Sequence, residues 1–138
     1  MIRRRSLRSA VLVVARLALG PAVTGAAAAL LEPLVVGWED IFKLDWQAEP
    51  HGGRPVVSGH IMNDSGYPVT RVQLLVEALD DRGAVVRQTV DWLPGGGLEP
   101  AARAYFEVPA PGSASAYRVR VFAFDRIESP SGENVPRR

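Results

Sequence analysis

From about residue 39 onward, apolar and polar side chains alternate along the chain with a period of two, which is typical of strands with one buried face. A first strand is predicted over about 39–49. Its apolar face carries three large side chains, Phe42, Leu44 and Trp46. A turn rich in glycine is predicted at 50–53. The second strand then places His60 on the face opposite Ile61.

The strongest alternation predicts a strand over about 69–79, and a turn at Asp80–Gly83 connects it to a fourth strand. One face of that fourth strand is apolar and is predicted to point into the core. It carries Ala84, Val86, Gln88, Val90 and Trp92. A fifth strand turns Phe106 inward. The last strand, about 116–127, carries on one face Tyr117, Val119, Val121 and Ala123, and on the other Arg118, Arg120, Phe122 and Phe124.

Six or seven short strands separated by turns every 8–12 residues predict an all-β, antiparallel sandwich. The strands are expected to divide between two sheets around one core. Residues 30–128 are therefore predicted to form a single domain. The tail 129–138, with two prolines and few apolar residues, is predicted to be disordered.

The first 29 residues have a different pattern, because an arginine-rich start is followed by an apolar run and then by small residues. This order predicts a secretory signal peptide over 1–29, and hence export to the periplasm or the cell exterior. An uncleaved helical membrane anchor is the alternative. Arg16 and the helix-breaking pair Gly20–Pro21 weigh against it, because a spanning helix needs about 20 apolar residues in succession.

The charge of the predicted domain differs in sign from that of the whole chain, which has 138 residues and a formal charge of +1. Five of the 16 basic residues lie in 1–29, and none of the 15 acidic residues does. The remainder therefore carries 11 basic and 15 acidic residues, a formal charge of −4. Such a domain lacks the basic balance of nucleic-acid binders. It also contains no cysteine, so disulfides do not contribute to its stability.

Four segments resemble, in order, the FxLYD-type group of small bacterial extracytoplasmic domains. They are 57–66 (VSGHIMNDSG), 72–80 (VQLLVEALD), 98–108 (LEP followed by AYFEV) and 117–121 (YRVRV). The resemblance covers roughly 55–125 and implies an immunoglobulin-like sandwich. It also implies an accessory or interaction domain without shared catalytic residues. Ala101 departs from the group, which often has glycine after the Leu-x-Pro triplet.

No catalytic, metal or cofactor site is predicted. His51 and His60 are the only histidines, and a metal site usually needs three or four converging ligands. The turn at Asp80–Gly83 lacks the spaced acidic residues of a calcium loop. Ser58 and Ser65, with His60 as a base, lack the strand-to-helix elbow of a serine nucleophile.

Four aromatic residues are candidates for contacts. Trp46 and Trp92 lie on apolar faces and are expected in the core, whereas Trp38 and Tyr67 lie near turns and are candidates for ligand or partner contact. The main hypothesis is a non-enzymatic envelope module that binds another envelope protein, or itself, through an unprotected edge strand. The alternative is a carbohydrate-binding module that uses exposed aromatic side chains.

Overall fold

The computed structural model describes residues 29–128. Apart from Ala29, the predicted signal segment lies outside the described residues, and so does the predicted tail 129–138. A 3-10 helix, Trp38–Asp40, precedes the first strand. The described part contains seven strands: β1 (Phe42–His51), β2 (Arg54–Asn63), β3 (Val69–Leu79), β4 (Val85–Trp92), β5 (Gly97–Leu98), β6 (Arg103–Pro109) and β7 (Ala116–Arg126).

These strands form two antiparallel sheets. In the three-stranded sheet, β2 lies between β1 and β6. In the four-stranded sheet, β3 is central: β7 pairs along one side of it, and β4 and β5 share the other side. The prediction of an all-β fold with antiparallel sheets is thereby confirmed. The predicted N-terminal helix lies outside the described residues.

One hydrophobic core joins the two sheets. It contains Ile61 and Phe106 from the three-stranded sheet and Leu74 and Val76 from the four-stranded sheet, all of them fully buried. Phe42 meets Phe124 across the core in an edge-to-face contact, with ring centroids 4.9 Å apart. Burial of these side chains is the main stabilising term, since each contributes about 1.5–3 kcal/mol.

The first hairpin is tighter than predicted. Its turn consists of Gly52 and Gly53 alone, and the register pairs His51 directly with Arg54. Both glycines have positive φ, 59° and 78°, as the two-residue turns that suit the twist of a hairpin require. β1 also begins later than predicted, at Phe42, because the residues before it form the 3-10 helix.

The side-chain alternation reverses in β3 and β7. Val69 and Val72 are both buried although they are three residues apart, because Arg71 has a φ of 54° and interrupts the regular pairing. On the neighbouring strand, Val121 and Phe124 are likewise both buried. The prediction that Phe124 lies on the face opposite Val121 is therefore wrong. A strict period of two does not survive such an irregularity.

The prediction that the apolar face of β4 points into the core is also wrong. Val86 and Trp92 are 54% and 53% exposed. The register pairs Trp92 with Gln73 on β3, on the face that points away from Leu74 and the core. Alternation identifies the residues that share a face but not which face is buried. On this edge strand, the apolar face points outward.

Trp46 lies on the core side of β1, as predicted, but it is 39% exposed because β1 is an edge strand. Its indole N–H donates to the carbonyl oxygen of Tyr117 at 3.0 Å and so connects β1 to β7 of the other sheet. Gly59 is its register partner on β2. A Cβ at Gly59 would lie 1.9 Å from the carbonyl oxygen of Asp45, so only glycine fits there.

The segment Asn63–Gly66, which the resemblance includes, has a structural role. Asn63 is fully buried, and its side-chain N–H groups donate to the carbonyl oxygens of Tyr67 at 2.7 Å and Leu98 at 3.1 Å. Its Oδ1 accepts the backbone N–H of Ser65 at 3.0 Å. Ala101, with a φ of 63°, donates its N–H to the Asn63 carbonyl oxygen at 2.8 Å. The resemblance expects glycine at 101, and glycine adopts such a φ without strain.

Candidate functional site

The outer face of the three-stranded sheet presents a small array of polar side chains, which we call the polar face. Strand alternation directs every second residue of β1, β2 and β6 away from the core, and the register aligns them in rows. From one end of the sheet to the other, the polar face consists of Lys43, Met62, Arg103, then Asp45, His60, Tyr105, then Gln47, Ser58, Glu107.

Asp45 is the centre of the polar face. Its Oδ1 accepts the backbone N–H of His60 at 3.1 Å and lies 3.3 Å from His60 Nδ1, while Arg103 Nη2 donates to Oδ2 at 3.2 Å. Slight desolvation raises the pKa of the Asp45 carboxyl, but the His60 hydrogen bonds and the Arg103 charge outweigh it and lower the pKa below 3.8. The Tyr105 ring meets the His60 ring edge-on at 5.6 Å.

Two hollows lie along the strands on either side of Asp45 and His60. One, of about 210 Å³, extends toward Lys43 and Met62. The other, of about 430 Å³, is lined by the row of Asp45, His60 and Tyr105 and by five neighbouring residues: Trp46, Gln47, Ser58, Gly59 and Arg103. The polar face therefore offers a grooved surface with fixed hydrogen-bond donors and acceptors and one aromatic ring.

The residues weighed for serine or metal chemistry lie on or near the polar face. His60 Nδ1 lies 3.3 Å from Asp45 Oδ1, and Ser58 is buried. Among residues 29–128, no group of three or more His, Cys, Asp or Glu side chains is placed to hold a metal ion.

At the turn after β3, Asp80 accepts the backbone N–H groups of Arg82 and Ala84 at 2.9 Å each, which closes the hairpin.

The outer face of the four-stranded sheet is covered. Residues 30–35, which we call the N-terminal strap, run across it from β4 to β7. On β4, the Gln88 side-chain amide bonds the backbone N–H and carbonyl of Leu31 at 2.8 and 2.9 Å. On β7, the Leu34 N–H donates to the carbonyl oxygen of Phe122 at 2.8 Å. The strap is thus attached to both edge strands of this sheet.

Beneath the strap lies a buried ion cluster. Glu77 on β3 is 0% exposed, and it is paired with both Arg118 and Arg120 of β7. Glu32 of the strap pairs with Arg120 at 2.8 Å. Desolvation lowers the pKa of Arg120, but its hydrogen bonds to Glu32 and Glu77 more than compensate, so the pKa is raised above its usual range. The cluster is fully paired, as a buried carboxylate requires.

Exposed apolar side chains surround this covered region, and we call them the apolar surface. Strand β4 supplies two of them on the outer face of its sheet, and the strap supplies three leucines beside it. The apolar surface consists of Leu30, Leu31, Leu34, Val86 and Trp92.

Trp38 and Tyr67, the contact candidates from the sequence, lie in different environments. Trp38 is half-buried and packs against the hydrophobic core. Tyr67 is 54% exposed, and the Arg126 guanidinium lies 5.4 Å from the centre of its ring. Of the two, Tyr67 presents the freer ring. Contact by either residue stays a prediction.

Sequence reasoning found part of the polar face and missed the strap. Alternation placed Asp45 and His60 on outward faces, and Arg103 and Tyr105 follow from the inward position of Phe106. The signal that brings them together is the strand register, which the sequence does not encode locally. The strap has no periodic pattern, so no element was predicted for it.

Comparison of the chain with protein-family models, with curated proteins and with solved structures gives no match in any of the three. Within residues 29–128, no helix has the length and apolar character needed to cross a membrane.

Proposed function

We propose that this chain is an exported, non-enzymatic sandwich module of the bacterial cell envelope that binds another envelope protein or a second copy of itself. The observation that carries the proposal is the apolar surface. Val86 and Trp92 on β4, with the leucines of the strap, expose large hydrophobic side chains on one outer face. Burial of such exposed apolar side chains against a partner is favourable.

The position of β4 supports a protein partner. Among the described residues, β4 pairs only with β3, so its other side offers backbone N–H and C=O groups to an incoming strand. Addition of a strand at such an edge combines backbone hydrogen bonds with side-chain contacts. Val86 and Trp92 would supply those contacts directly beside the edge.

The proposal includes an immunoglobulin-like sandwich of the FxLYD type. Two antiparallel sheets around one core agree with it, as does the use of Asn63 to join the β2–β3 turn to β5. Export is proposed on the signal-like pattern of residues 1–29. Action by binding rather than by catalysis is proposed on the exposed apolar side chains of β4 and the strap.

Site-specific cross-linking tests the proposal. A photoreactive phenylalanine analogue at Val86 is expected to cross-link, in intact cells, to one envelope protein or to a second copy of the chain. The matched control is the same analogue at Glu107, which is exposed on the opposite outer face. Products of equal yield from both positions, or none from Val86, would contradict the proposed surface.

Turnover measurements test the non-enzymatic part. Reproducible conversion of a substrate by the purified chain, abolished in the His60→Ala variant, would overturn it. No conversion is the expected result.

A further inference from the structure

We propose that the polar face binds a neutral oligosaccharide, with Tyr105 as the stacking ring and with Asp45 and Arg103 as the hydrogen-bonding pair. This inference goes beyond the proposed protein contact and is independent of it, because the polar face and the apolar surface lie on opposite sheets. It rests on the aromatic ring, the polar pair, the charge balance and the shape of this face.

The aromatic ring is both exposed and held in place. Tyr105 is 55% exposed, and its hydroxyl donates to Glu107 Oε2 at 3.2 Å. His60 supports the ring edge-on from the neighbouring strand at 5.6 Å. A ring fixed at two points loses little freedom on binding, and its face is apolar. The C–H side of a pyranose is apolar as well and packs on such a ring.

The polar pair is oriented in advance. Asp45 is held by His60 and by Arg103, so neither Asp45 nor Arg103 needs to reorganise to meet a ligand. The carboxylate retains free acceptor positions, and the guanidinium retains free donors. Adjacent hydroxyl groups of a sugar both donate and accept. They can therefore bond both members of the pair, and hydrogen bonds to charged groups are the stronger class.

The charge balance selects a neutral ligand. Lys43 and Arg103 contribute two permanent positive charges to the polar face, and Asp45 and Glu107 contribute two negative charges. A phosphate or carboxylate bound near Tyr105 would be attracted by Arg103 but repelled by Asp45 and Glu107, so it would lose its hydration without net attraction. A polyhydroxylated ligand without charge meets no such penalty.

The shape favours more than one sugar unit. The two hollows, about 210 and 430 Å³, follow one another along the strands and share Asp45, His60 and Arg103. A ligand that crosses the Asp45–Arg103 pair would place successive units in the two hollows. The ligand class is therefore an oligosaccharide rather than a single sugar.

Titration of the ¹⁵N-labelled chain, followed by NMR, tests the inference. The probes are the hexasaccharides of glucose, mannose and N-acetylglucosamine, with a hexagalacturonate as the charged comparison. Saturable shifts are expected for at least one neutral probe in the amides of β1, β2 and β6 around Asp45, His60 and Tyr105. The acidic probe is expected to bind at least about tenfold more weakly.

Two variants and one matched control locate the site. Tyr105→Ala and Arg103→Ala are each expected to weaken binding about tenfold or more, whereas Arg71→Ala leaves it unchanged. Arg71 is a fair control because it is an exposed arginine on the other sheet that also pairs with a carboxylate, that of Asp125 at 3.4 Å. Circular dichroism of each variant verifies the fold.

The inference is overturned if no neutral hexasaccharide gives saturable shifts, or if Arg71→Ala abolishes binding and Tyr105→Ala does not. Stronger binding of the acidic probe would overturn the charge argument. None of these outcomes affects the proposed protein contact, which the Val86 cross-linking tests separately.

Discussion

Two carboxylates, one on each sheet, have the same kind of partners and opposite surroundings. Asp45 on the three-stranded sheet is held between His60 and Arg103, and its side chain is 62% exposed. Glu77 on the four-stranded sheet is held between Arg118 and Arg120, and it is 0% exposed. Both clusters join neighbouring strands on the outer face of a sheet.

The N-terminal strap makes the difference. It crosses the four-stranded sheet, where its Glu32 pairs with Arg120 beside Glu77, whereas no described segment crosses the polar face. A buried carboxylate that loses its partners pays for its desolvation without compensation, but an exposed one regains water. The Glu77 cluster is therefore structural, and the Asp45 cluster is free to exchange water for a ligand.

The largest expected effect is at Glu77. Glu77→Ala takes from Arg118 and Arg120 the carboxylate that they share, although Arg120 keeps Glu32, and is expected to lower the free energy of unfolding by about 1.5–3 kcal/mol. Asp45→Ala, the matched control on the other sheet, is expected to lower it far less, because water replaces the partners of an exposed carboxylate. Urea denaturation of both variants measures the two values. Equal losses would remove the distinction between the clusters.

Loosening the N-terminal strap is expected to lower the free energy of unfolding by an intermediate amount. Gln88→Ala removes both hydrogen bonds to Leu31 and is expected to lower the free energy of unfolding by about 1 kcal/mol. It should also accelerate hydrogen exchange at the Leu34 amide. Thr89→Ala, on the other face of β4, serves as the control.

A double-mutant cycle sharpens this result. With the strap loosened, water reaches the cluster, so Glu77→Ala is expected to cost less in the Gln88→Ala background. The expected coupling is at least about 0.5 kcal/mol. Additive losses and unchanged exchange at Leu34 would mean that the strap does not control the burial of Glu77.

The smallest expected effect is a shift in the pKa of Asp45, the carboxylate of the exposed cluster. The pKa of Asp45 is lowered from 3.8, so its interactions stabilise the fold above that pH and are lost as the pH falls through the lowered pKa. His60→Ala removes the principal stabilising partner and is expected to raise the Asp45 pKa toward 3.8. NMR titration of the side-chain carboxyl carbon measures the shift. A midpoint unchanged by the substitution would contradict the assigned cause.

Prediction from the sequence succeeded where a pattern is local. The outward position of His60 opposite Ile61, the inward position of Phe106 and the turn at Asp80–Gly83 each follow from neighbouring residues. It failed where a distant segment decides the outcome. Trp92, expected in the core, lies on the outward face of β4, and Glu77, a residue type that is usually exposed, is completely buried.

The polar face and the N-terminal strap show the same difference between what local pattern predicts and what distant contacts decide. Asp45 and Tyr105 are 60 positions apart in the sequence, and only their register with His60 on β2 brings them into one row. The leucines of the strap have no strand-like alternation, so their attachment to Gln88 and Phe122 was not predictable from local sequence. Register depends on the pairing of whole strands, and this is a cooperative property of the sheet.

The sequence by itself determined the strands, most of their turns and which side chains share a face, because backbone pleating and turn geometry act over a few residues. It also determined the acidic balance of the domain. Only the tertiary structure decided which face of β4 is outward, which carboxylate is buried and which side chains form the polar face. Those features depend on contacts between distant segments. Such contacts stabilise the fold because packing removes apolar surface and charged groups from water.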